Sequence, residues 1–259
     1  MNDPIAALVR THDPDRFLTA LFAPPEHRDA LLTLYAFDRE LARARAVTSE
    51  PHLALIRLHW WREVIEGARR RHEVATPLTA LLEAGRVPRE VLLPVIDAYE
   101  VETEPAIETL ADWRAWLLAG AGGLAVAAAH LLGAAGPEQF RPIGAACGAA
   151  RAIRWTCVLA VQGRSLLPRD LLAEQGMTVE AAIAAPDAAG TRAVLARLSA
   201  EGTGFLAGVP RRLPRAWIAA ALPAVLARRD LARGPLASPG LRGLGDRLRV
   251  TWSGVTGRL

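Results

Sequence analysis

The chain has 259 residues, 51% of them apolar, with 27 acidic residues and 31 basic ones, every basic residue being arginine; that is enough for one buried core in a single domain. The net charge of +4 permits anionic partners such as phospholipid or phosphate esters. No basic run is interleaved with aromatics, so nothing points to nucleic acid. The two cysteines, Cys147 and Cys157, lack C-x-x-C spacing and exclude a disulfide framework; they read as buried free thiols of a reducing compartment, the cytoplasm.

The first residues (MNDPIAALVRTHDPDRF) put acids and an early proline where a secretory leader needs an apolar core. Residues 26–49 carry Leu31, Leu34, Tyr35, Ala42 and Ala46 near a 3.6-residue period, which predicts a helix. Ser49, ahead of Glu50 and Pro51, reads as the N-cap of a second helix whose stripe is Leu53, Ile56, Trp60 and Val64. A helix is expected over 88–102, and Thr109 with Asp112 resembles a capping box opening another.

Residues 116–135 (WLLAGAGGLAVAAAHLLGAA) are uncharged and long enough to span a membrane. Alanine and glycine supply little transfer energy and His130 interrupts, so a buried core helix is expected, with Gly120, Gly122 and Gly123 allowing close approach of a neighbour or leaving room for a ligand. Further helices are expected over 138–161, 168–184, 188–206 and 213–232. No run alternates with period two, so the fold class is all-α, one helical domain over 1–233 followed by a basic, glycine-rich tail over 234–259. In that tail Leu241, Leu244 and Leu248 share a stripe, with Arg242, Arg247 and Arg249 around it and Trp252 following. It either lies on an anionic membrane surface or folds back onto the domain.

Several constellations invite a site. His59 and Glu63, at i and i+4 and next to Glu66, form the edge of a metal site, but without a third ligand a partly exposed ion pair is expected. Asp97, Glu100, Glu102, Glu104 and Glu108 read as a solvated helix end, with the rim of a site as the competing reading. Tyr35, Trp60, Trp116 and Trp155 line a pocket or simply fill core. Arg39, Arg43 and Arg45 read as a solvated face or as a phosphate-binding one.

Two stretches resemble the squalene/phytoene synthase family. Tyr35, Ala36, Phe37 and Arg39 fit the start of its Y-A-x-C-R-x-x-D-D-x-x-D helix, and Trp60, Trp61 and Arg62 fit the next. Gly163, Arg164, Leu167 and Pro168 set the register of a later motif, in which Arg154 also matches, and 170–177 (DLLAEQGM) continues the likeness. In this register the family's two D-x-x-x-D pairs fall at Ala42 and Ala46, with Arg43 between them, and at Trp155 and Leu159; its asparagine falls at Arg151.

The resemblance implies an isoprenoid-synthase type of helical bundle. In that family the carboxylates hold magnesium, which offsets the charge developing on a departing diphosphate; alanine, tryptophan and leucine cannot ligate it. The segment from Ala30 to Arg43 together with Ser49, Glu50 and Pro51 is similar to a non-catalytic branch that includes the mitochondrial complex I assembly factor and short bacterial relatives. That implies a pseudoenzyme with no catalytic residues, metal or cofactor, serving respiratory-complex assembly through a protein partner or binding a prenyl or other hydrophobic ligand. Tyr35, Arg39, Arg43, Trp60, Arg151, Arg154 and Arg164 would form the pocket and any anion site. The expected location is the cytoplasm, peripheral on the inner membrane. The alternatives are an active head-to-head prenyltransferase with a magnesium site rebuilt around Asp97 to Glu104, and a scaffold whose old pocket is filled by tryptophan and leucine.

Overall fold

The structure is a computed structural model and describes residues 4–46, 50–234 and 242–259. Two short helices, α1 (Pro4–His12) and α2 (Pro14–Ala20), lead into α3 (Pro25–Ala46). Asp13 closes the N-terminus of α2 by accepting from the Arg16 backbone N–H at 2.9 Å. Every residue from 30 to 38 on α3 is buried, so this helix runs through the middle of the molecule with neighbours on all sides.

α4 (Pro51–Glu66) follows, but its N-cap position is Glu50, without a side-chain capping bond; Ser49 lies outside the described residues. Its buried face is Ala54, Leu58, Trp61, Val64 and Ile65. Of the expected stripe, Leu53 is 41% exposed and Ile56 62%. The helix is apolar on two faces, so spacing alone could not choose between them, and the face carrying Trp61 packs against Phe37 with ring centroids 5.4 Å apart.

Then come α5 (Ala75–Glu83), α6 (Arg89–Val101), α7 (Leu110–Ala119) and α8 (Ala121–Leu131). The Thr109/Asp112 capping box that opens α7 is present. The apolar run expected as one helix is broken at Gly120, between α7 and α8. The stretch Leu110–Leu131 is long and apolar enough to cross a membrane, yet about two-thirds of its most apolar window is buried against the rest of the protein, as expected for core.

After a 3₁₀ turn (Pro137–Phe140) come α9 (Arg141–Arg154) and α10 (Thr156–Val161), separated at Trp155 where one helix was expected. α11 (Arg169–Glu174) and α12 (Val179–Ala184) are likewise split near Gly176, whose φ of +65° suits glycine. α13 (Ala189–Gly204), α14 (Ile218–Ala221), α15 (Pro223–Arg233) and α16 (Leu244–Thr256) complete the chain. Among the described residues there is no strand, only two isolated bridges.

α9 is the hub, packed by α7, α8, α13 and α15. Its small residues make this possible: a Cβ on Gly144 would sit 2.1 Å from the Ala121 carbonyl oxygen, and one on Gly148 would sit 2.8 Å from the side chains of Ala121 and Leu117. Different residues of α9 and α15 serve one apolar cluster with α3 and α8 and another with α7 and α13, so the core is continuous across a single domain. Cys147 and Cys157 are free and half-buried rather than buried.

Residues 242–259 lie against this domain. Asp246, Val250, Ser253 and Gly254 of α16 face inward, and a Cβ on Gly254 would meet the Phe22 ring at 2.3 Å. The Leu213 N–H donates to the Gly257 carbonyl at 3.0 Å, and the Leu259 N–H to the Arg211 carbonyl at 3.0 Å.

Candidate functional site

At the centre lies Asp38, on α3 one helical turn before Ala42 and only 5% exposed. A lone carboxylate so placed must be matched by charge and hydrogen bonds. Arg16 of α2 donates to Oδ2, the Tyr99 hydroxyl of α6 donates to Oδ1 at 2.8 Å, and Arg151 Nη1 of α9 stands 3.9 Å away. Burial alone would push the carboxyl upward, but the Arg16 and Arg151 charges, with the bonds from Arg16 and Tyr99, hold it below its ordinary range. The Arg16 guanidinium also covers the Tyr35 ring, 5.3 Å from its centroid.

Asp38, Glu102 and Arg151, with Tyr99 and Trp116 beside them, line a cavity of about 10 Å³, room for roughly one water, and the Arg151 side chain is itself exposed to solvent. Trp116 is fixed there by its indole N–H, which donates to the Ala98 carbonyl at 3.0 Å. Glu102 is held by Arg164 at 3.5 Å; burial raises its pKa above the usual 4.5, against the opposing charges of Arg151 and Arg164. A second cavity of about 30 Å³, lined by Tyr35, Leu124, Ile143 and Cys147 among others, lies beside the first, with Arg16 and Ala121 common to both. Although the residue is only half-buried, the loss of water around the Cys147 thiol pushes it up to about 12, so it stays protonated at neutral pH.

The expected site residues divide. Tyr35 and Arg151 line these cavities, and Arg164 reaches the first through Glu102. Arg154 points elsewhere, 3.6 Å from Asp230 and 4.0 Å from Asp15. Those two aspartates are also gripped by Arg242, at 2.6 and 2.7 Å to Asp230 and 2.8 Å to Asp15, while Arg229 holds Asp246 at 2.7 Å. This second cluster fastens α2, α9 and α15 to α16 and lies apart from the cavities. Arg43 is exposed and pairs with Glu40 at 3.7 Å, and Arg39 is half-buried on the same helix. Trp60 packs edge-on against Trp61 and His72. Ala42, Ala46, Trp155 and Leu159 line neither cavity, and Trp155 is 43% exposed at the break between α9 and α10.

The acidic cluster also divides. Asp97 and Glu100 are clamped by Arg62 at 2.6 and 2.8 Å, and Glu108 lies 3.6 Å from Arg169, so Glu102 is the member that faces the interior. Glu63 pairs with Arg70 at 2.9 Å, where His59 was the expected partner. Sequence reasoning passed over Asp38, Arg16 and Tyr99. An acid at position 38, inside an apolar helix turn, was the one available signal.

Chemically, the arrangement is a neutralised arginine–carboxylate network. Magnesium, which the family resemblance implies, does not fit these residues. The carboxylates that reach the cavity are each engaged by arginine, and among the described residues no three His, Cys, Asp or Glu side chains converge as a metal would need.

The family model for squalene/phytoene synthase matches residues 9–253. The human NADH dehydrogenase (ubiquinone) complex I assembly factor 6 is 34% identical over 59 residues, which is 23% of this chain and 18% of that protein. Among solved structures, squalene synthase HpnC from Alicyclobacillus acidocaldarius superposes with a TM-score of 0.70 at 19% identity, over 88% of this chain and 90% of that one. A dehydrosqualene synthase in complex with ligand superposes with a TM-score of 0.75 at 12% identity, over 97% and 94%. At these identities the structural likeness is one of fold.

Proposed function

The chain belongs to the squalene/phytoene synthase family, and from that premise we propose that it is a non-catalytic member acting in the assembly of respiratory complex I. One observation carries the non-catalytic half. The interior at the Tyr35–Asp38 turn of α3 is closed around Arg16, Asp38 and Tyr99, leaving cavities of about 10 and 30 Å³, where a ligand-sized pocket needs about 300 Å³ or more. α8 and α9 are in close contact at Gly144 and Gly148, and Trp116 lines the smaller of the two cavities. The residues at the expected aspartate positions, Ala42, Ala46, Trp155 and Leu159, supply no metal ligand, which supports the same reading.

The assembly half is supported by the similarity to the human assembly factor. An assembly factor works through its surface, so a closed interior is compatible with it. A carrier of prenyl lipid would need α8 and α9 to part, and an active head-to-head prenyltransferase would need both that opening and carboxylates freed from Arg16, Arg151 and Arg164. On this reading the protein works in the cytoplasm, beside a membrane-bound complex. The test is to delete the gene in its host and resolve complex I on native gels. Loss of the assembled complex, restored by the wild-type chain, is expected. Normal assembly without the gene would remove this half of the proposal.

A further inference from the structure

α16 has two unlike faces. Asp246, Val250, Ser253 and Gly254 are buried against the domain. On the other side Leu244 is 78% exposed, Leu248 68%, Trp252 68% and Val255 54%. At about 100° per residue these four fall within roughly 80° of helix arc, and Arg247 and Arg249 lie about 100° to either side of its centre. The stripe is therefore apolar, continuous over three turns and flanked by cations on both edges.

The charge around it is uneven. Residues 207–259 contain ten arginines and two aspartates, whereas residues 1–206 contain twenty-one arginines and twenty-five acids. Both aspartates, Asp230 and Asp246, are buried and paired with Arg242 and Arg229, so they do not offset the surface. Arg215 donates to the Val255 carbonyl at 2.7 Å. The backbone bonds that join 213 to 257 and 259 to 211 bring Arg211, Arg212 and Arg258, all exposed, to the same end of α16.

We propose that this face of α16 is a membrane-docking surface, with the Leu244, Leu248, Trp252 and Val255 side chains entering the acyl boundary of an anionic bilayer and the surrounding arginines meeting its headgroups. An exposed leucine and tryptophan stripe between cations is the pattern of an interfacial helix, and a tryptophan indole suits the headgroup boundary. A second copy of the chain would bring like charge against like charge. The stripe is presented ready-made, because the Arg242–Asp230 and Arg229–Asp246 pairs hold the helix in place.

The test is cosedimentation of the full chain with vesicles of phosphatidylcholine containing one-third phosphatidylglycerol, and with phosphatidylcholine alone. Pelleting with the anionic vesicles and loss of it in high salt are expected. Leu248→Ala combined with Trp252→Ala should lower partitioning about tenfold without moving the thermal midpoint, since both side chains are outside the core. Arg247→Gln with Arg249→Gln should weaken anionic binding and flatten its salt dependence. No pelleting, or pelleting indifferent to the α16 variants, overturns the proposal. So does self-association without lipid that the double alanine variant abolishes, which would give the stripe to a second copy. Pelleting rescued only by adding an acidic protein partner would do the same.

Discussion

Tyr99 and Asp38, 61 residues apart in the chain, meet in the interior, where the phenol donates to the carboxylate at 2.8 Å. With Arg16 on the other oxygen and Arg151 nearby, this one acid connects α2, α3, α6 and α9.

Removing either member should be costly, and unequally so. Tyr99→Phe loses one hydrogen bond to a charged group, about 1.5–3 kcal/mol. Asp38→Ala strands the Arg16 charge in the core, about 3–5 kcal/mol. Urea unfolding of the two variants measures both; equal and negligible losses would mean the network contributes nothing.

The two interior acids should respond to pH in opposite senses. The Asp38 carboxyl is held below its ordinary 3.8, Arg16 and Arg151 outweighing burial; its contribution is present above that value and is lost as pH falls through the lower folded value. Glu102 is held above its ordinary 4.5 by burial, so the folded state keeps that proton longer and stability declines as pH rises from 4.5 through the folded value. Unfolding free energy followed from neutral to acid should first rise and then fall. Glu102→Gln should shrink the rise, and Asp38→Asn should flatten the fall.

The approach of α8 to α9 depends on Gly144. A Cβ there would stand 2.1 Å from the Ala121 carbonyl oxygen, a backbone atom that cannot swing aside. Gly144→Ala should destabilise by about 3 kcal/mol or more, read as a lowered thermal midpoint. Gly204→Ala, on α13 with open space around it, serves as the neutral control.

Arg242 latches α16 to the domain through Asp230 and Asp15. Arg242→Ala leaves Asp230, 5% exposed, with a weaker partner in Arg154, and should cost about 3–5 kcal/mol. Limited proteolysis should then release the last helix faster than in the wild type; an unchanged cleavage rate would mean that the apolar contacts of Val250 and Gly254 suffice.

Much of the bundle is readable along the chain. The helix expected over 26–49, present as Pro25–Ala46 up to the edge of the described residues, the Thr109 cap and the all-helical class follow from local spacing and capping chemistry. What depends on partners distant in sequence does not. The face α4 buries is decided by Phe37, and two stripes satisfy the same period. The break at Gly120 lies in a run whose hydropathy is uniform. Asp38 looks like one more polar residue in a helix until Arg16 and Tyr99 arrive from other helices, 22 and 61 residues away. Arg154 and Arg151, three residues apart, look equivalent in sequence. The helix turn sends one to Asp230 and Asp15 and the other to the cavity.

The most direct test of the non-catalytic reading is to incubate the purified protein with farnesyl or geranylgeranyl diphosphate and magnesium and to measure released diphosphate. A closed interior with its carboxylates held by arginine predicts no release above a protein-free control. Sustained release that stops when the magnesium is chelated would contradict it.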